Sequence, residues 1–106
     1  RFGDGEGPAR SYIAPTDLAQ VLATLAALHP GEVPPVLNVA APHPVAMADI
    51  AAAAGREVLW RDAPEGARQR VTLDSTRLQS LCPLPPEASR PEHLVAEWHR
   101  LSGVPA

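Results

Sequence analysis

The chain has 106 residues, 20% of them charged, with a formal net charge of −3 and a single cysteine. That length bounds it to one domain with a modest core. The mild acidity points to no nucleic-acid or membrane surface, and no apolar run is long enough to span a bilayer. A lone Cys82 excludes an internal disulfide framework and fits a reducing, cytoplasmic setting.

Residues 3–9, "GDGEGPA", form a glycine turn between Phe2 and Tyr12-Ile13, which predicts a hairpin. Thr16 stands where a helix N-cap is expected, and Asp17 suits the positive end of that helix. Leu18, Val21, Leu22, Leu25 and Leu28 recur at helical spacing, and "HPG" at 29–31 stops the helix. "PVLNVA" at 35–40 reads as a strand buried on both faces. A second helix is expected over 46–54, with Met47, Ile50, Ala51 and Ala54 inward and Gly55 as its stop.

"EVLW" at 57–60 is a further strand candidate, and 61–70 is a polar loop. Residues 71–73 are expected to be extended. Asp74 is the expected N-cap of a short helix through Leu78 and Leu81. Ser89 and Glu92 have capping-box spacing ahead of a last helix. That helix carries Leu94, Val95, Trp98 and Leu101 on one face and ends near Gly103. The fold class is therefore mixed α/β: a small sheet or hairpin with about four helices.

The chemistry is sparse. Gly3, Gly5 and Gly7 lack the G-x-G-x-x-G spacing and lead into a strand, so no dinucleotide loop is expected. The four histidines have no cysteine partners, and no metal site is expected. No serine sits in a nucleophile elbow, and Cys82 beside Pro83 reads as a small buried residue. All nine basic residues are Arg, so Schiff-base lysines, P-loop lysines and any Tyr-x-x-x-Lys pair are absent; Tyr12 is followed at the fourth position by Thr16. Arg10, just ahead of an apolar stretch, admits three readings. It grips a phosphate bidentately, stands exposed at a strand end, or pairs with Asp17.

In order along the chain, three stretches carry a resemblance. "GDGEGPARSYIAPTDLAQVLATL", "VLNVAAPHPVAMADIAAAAG" and "VTLDSTRLQSL" followed by "PEHLVAEWHR" resemble the C-terminal half of the extended short-chain dehydrogenases, the NAD-dependent epimerase/dehydratase family. The resemblance implies a single incomplete domain over residues 1–106, forming the substrate side of a nucleotide-sugar epimerase-like protein. NAD(P) and the catalytic Tyr-x-x-x-Lys would belong to a Rossmann half outside this chain. It implies a small-molecule substrate, a nucleotide-diphosphate sugar in the epimerases, and leaves room for a homodimer. Arg10 matches the arginine that contacts the diphosphate, and Phe2 the aromatic beside the base. The second diphosphate arginine falls in the loop 61–70, with Arg61 as the candidate and Arg68 and Arg70 as alternatives. Ala14-Pro15-Thr16 departs from the family's His-Val-Asp run, and Ala46 replaces its usual serine cap.

The only methionine is Met47, so the chain is expected to be a fragment, a processed product or a trimmed piece. The competing expectation is a free-standing α/β binding or interaction module without chemistry. Residues 1–106 alone are expected to perform no redox reaction.

Overall fold

A computed structural model describes residues 1–103. It is mixed α/β, with three short strands and four α-helices. Strand β1 (Ala9–Arg10) lies between β2 (Val45–Ala46) and β3 (Arg70–Val71). Ala9 pairs antiparallel with Ala46 and parallel with Arg70. The glycine turn does form: the Phe2 N–H donates to the Glu6 carbonyl at 2.8 Å and the Gly5 N–H to the Phe2 carbonyl at 2.9 Å, with Gly5 at φ +82°. The expected hairpin does not. The strand that leaves the turn finds its partners 37 and 61 positions away in the register of Ala9, because the turn folds back on itself before the flanking residues can meet.

Helix α1 spans Pro15–Ala26. Its N-cap is Ala14, not Thr16. Proline at the first helical position has a preset φ and no N–H to satisfy, and it forces the preceding residue to be extended; Ala14 has ψ 145°. Released from capping, Thr16 donates its hydroxyl to the Glu97 carboxylate and Asp17 reaches His93. Val21 is fully buried on the predicted face, while Leu18 and Leu22 of the same stripe remain exposed.

Helix α2 (Met47–Ala53) ends as expected at Gly55, whose φ is +71°. The Arg56 N–H reaches the Ala51 carbonyl at 2.9 Å and the Gly55 N–H the Ala52 carbonyl at 3.0 Å, the paired bonds of a Schellman end. Helix α3 (Thr76–Leu81) starts two residues after Asp74, with Ser75 at the cap. Asp74 still ties down the first turn, since its Oδ1 accepts from the Thr76 N–H and hydroxyl at 2.9 and 2.6 Å. Helix α4 (Pro91–Ser102) repeats the proline rule: Arg90 is its cap and Pro91 its first residue. The predicted Ser89 capping box is therefore not made; Ser89 Oγ instead accepts the His43 N–H at 2.8 Å.

Neither 35–40 nor 57–60 joins the sheet. The first stretch alternates: Leu37 and Val39 pack on the core while Val36 is 74% exposed, so it is covered on one face and not on both. The Ala41 N–H donates to the Tyr12 carbonyl at 2.7 Å, which lays the end of this stretch beside the segment after β1.

The core is thin. Val21, Ala41, Leu78, Cys82, Leu84 and Ala88 form it, with Ile13, Leu25 and Leu81 around them. Among the described residues the largest fully buried side chains are Leu78 and Val21. The accessible surface is 7337 Å², against about 5,700 Å² for a compact protein of this mass. Exposed large hydrophobics stand on α1 (Leu18, Leu22), on the extended stretches (Val36, Leu59) and on α4 (Trp98, Leu101).

Candidate functional site

Two segments far apart in sequence are sewn together. The Arg1 amino group donates to the Arg61 carbonyl, and the Ala63 N–H donates back to the Arg1 carbonyl at 2.9 Å. The Gln69 amide donates to both Asp4 carboxylate oxygens, at 3.1 and 2.9 Å. The Ala9 N–H reaches the Gln69 carbonyl at 2.8 Å. The glycine turn is thus bound along its length to the loop 61–70. Asp4 is held below the ordinary carboxylate range, first by the Gln69 side chain and then by the Glu6 N–H.

The arginine singled out from the sequence fastens the same seam. Arg10 Nη1 donates to the Ala9 and Gln69 carbonyls at 2.8 Å each, and Nη2 to the Arg68 carbonyl at 3.1 Å. Asp17 is not its partner; that carboxylate lies 2.8 Å from His93 Nε2.

Two grooves open along the seam and meet at Arg1. One, of about 390 Å³, is lined by Phe2, Gly3, Asp62 and Pro64. The other, of about 360 Å³, lies between Trp60, Arg61, Gly7 and the Met47 and Ala51 side of α2. Both volumes are in the range of small-molecule pockets, roughly 300–1,000 Å³. Phe2 therefore lines one groove, Arg61 the other, and Arg10 neither. The sequence reading gathers all three around one ligand; the structure sets them along one seam but not in one cavity.

Two residues of the site escaped it. Trp60 lies against the backbone of the glycine turn: a Cβ on Gly7 would come within 3.1 Å of its ring. The Arg1 guanidinium sits 4.6 Å from the Trp60 ring centroid, a cation–π contact. The signal available in sequence was the Trp-Arg pair closing an apolar run that then stays exposed. The charges are mixed, with Arg1 and Arg61 facing Glu57 and Asp62 across the two grooves.

A larger depression of about 560 Å³ beside α3 is lined by Asn38, Asp74, Thr76, Arg77 and Ser80. Most of its polar groups are paired among themselves. Asn38 Nδ2 donates to the Asp74 carbonyl at 3.1 Å, Thr76 to the Asp74 carboxylate, and Ser80 to the Arg77 carbonyl at 2.8 Å. It reads as the bracing of a short helix. Among the described residues no three His, Cys, Asp or Glu side chains gather as metal ligands, and no helix is long and apolar enough to cross a membrane. Comparison with family models, curated proteins and solved structures returned no match.

Proposed function

We propose that the chain is the substrate-side part of an NAD(P)-dependent epimerase/dehydratase-like protein, with the seam between residues 1–10 and 57–71 receiving a nucleotide-diphosphate sugar. The observation that carries the reading is the seam itself. Phe2, Arg10 and Arg61, chosen from the sequence for one ligand, stand on two segments bonded to each other across about sixty positions. Phe2 lies beside the base, and Arg61 and Arg10 supply cations for the diphosphate. A guanidinium carries five N–H donors; the three carbonyls take three of them, which leaves Nε–H and one Nη2 hydrogen for phosphate oxygens.

The chain binds and orients; it does not carry the redox step. The glycine turn runs into β1 and not into a helix N-terminus, so these residues do not form a cradle for a dinucleotide. NAD(P) and the proton-transfer pair belong, in this reading, to a Rossmann half that packs on the exposed apolar faces.

One observation favours a second reading. An arginine tied to three backbone carbonyls does what a purely structural arginine does, and the grooves at Trp60 and Phe2 then serve a free-standing binding module. A titration separates the two. With Trp98→Phe as background, emission reports Trp60 alone. Uridine-diphosphate glucose is expected to give a saturable change that Arg61→Ala weakens about tenfold, the loss of one charge-assisted contact. No saturable change up to roughly millimolar ligand, the weak end of specific binding, overturns the nucleotide-sugar reading.

A further inference from the structure

We infer that residues 57–60 form an open acceptor edge for one further strand, running parallel to them and joined directly ahead of Arg1. The register is already set. The Arg1 amino group donates to the Arg61 carbonyl and the Arg1 carbonyl accepts the Ala63 N–H at 2.9 Å, the pattern of the two slanted bonds of a parallel pair with Arg1 opposite Asp62. From that pair back to Glu57 the chain carries no helix, turn or bend, and its backbone makes no further hydrogen bond among the described residues. Side chains alternate as in a strand: Val58 and Trp60 are 38% and 40% exposed, Leu59 between them 90%. An unpaired apolar edge of this kind is a template for strand addition.

The register fixes both occupant and contacts. Continued backwards, the residue two ahead of Arg1 lies opposite Trp60, donates to the Leu59 carbonyl and accepts the Arg61 N–H. The residue four ahead lies opposite Val58, donates to the Glu57 carbonyl and accepts the Leu59 N–H. The residue three ahead stands beside Leu59, so an apolar side chain there covers the most exposed of the large hydrophobics. A second copy pairing this segment with itself across a twofold axis runs antiparallel, against the register. The inference rests on these hydrogen bonds and not on the nucleotide-sugar reading.

The test joins Thr-Val-Thr-Val ahead of Arg1 and follows amide hydrogen exchange by NMR. The Leu59 and Arg61 amides are expected to slow at least tenfold, while those of Val58 and Trp60 do not, and the protein stays monomeric. Pro-Val-Pro-Val, with proline rings at both bonded positions, is expected to abolish the slowing. Unchanged exchange, slowing at Val58 and Trp60 instead, a dimer, or loss of slow exchange at the buried Cys82 amide, which donates to the Leu78 carbonyl, in the Thr-Val fusion each overturns it.

Discussion

Asp17 Oδ2 lies 2.8 Å from His93 Nε2, and this contact joins the first turn of α1 to α4. Helix α4 has no fully buried residue, so it is held by half-buried side chains and by polar ties to α1. Beside the pair, Thr16 and Arg100 both bond the Glu97 carboxylate. A double-mutant cycle on Asp17→Ala and His93→Ala should give a coupling of about 1 kcal/mol, the net worth of a partly buried hydrogen bond. Strictly additive urea midpoints would show that the contact does not hold the helix.

Acid should loosen the same seams. Glu97 is held below the ordinary range by Arg100 and then Thr16, Asp4 by Gln69, and Asp74 by the Thr76 hydroxyl. A carboxyl whose folded pKa is depressed binds its proton more readily in the unfolded chain. Its contribution is therefore present at neutral pH and is lost as pH falls through roughly 5 to 3. Urea midpoints should drop across that window, and Glu97→Gln should flatten the drop. A midpoint that holds or rises on acidification contradicts the assignment.

Leu78 is the chief anchor of a thin core. Leu78→Ala is expected to cost about 2–5 kcal/mol, whereas Leu78→Met should cost under about 1.5. A domain this open has little stability to lose, so the alanine variant should show no cooperative melt by circular dichroism while the methionine variant keeps one. Equal melting of both would mean that the centre of the fold lies elsewhere.

Helical periodicity was legible and strand pairing was not. Val21 and Leu25, Ile50 and Ala54, Leu78 and Leu81, and Leu94 and Trp98 recur three or four residues apart, each pair within its own segment, and Gly55 and Gly103 end their helices with positive φ. Each strand, in contrast, has two residues, and its partners are fixed by contacts dozens of positions away. No local alternation records such a pairing. Two helix starts were misread for one reason: Thr16 and Ser89 are good caps, but Pro15 and Pro91 near them set the first turn earlier or later. At the seam, Arg10 and Phe2 were found from the glycine turn next to them. Arg1 and Trp60 were not, because only the folded chain stacks the one on the other.

Arg10 decides between gripping a ligand and fastening the fold. Its three carbonyl bonds predict that Arg10→Ala melts earlier by about 1–3 kcal/mol, since charged donors are removed from partly buried acceptors. If Arg10 also holds a diphosphate, the same variant weakens uridine-diphosphate glucose binding about ten- to a hundredfold. Arg10→Lys separates the two roles. A lysine ammonium can still reach one or two carbonyls and restore part of the stability, but it cannot present a planar fork to two phosphate oxygens. The expected outcome is a Tm that recovers in Arg10→Lys while ligand affinity stays low. An affinity that follows Tm in both variants, or one that never changes, makes Arg10 the clasp of the seam alone and leaves Arg61 as the cation of the site.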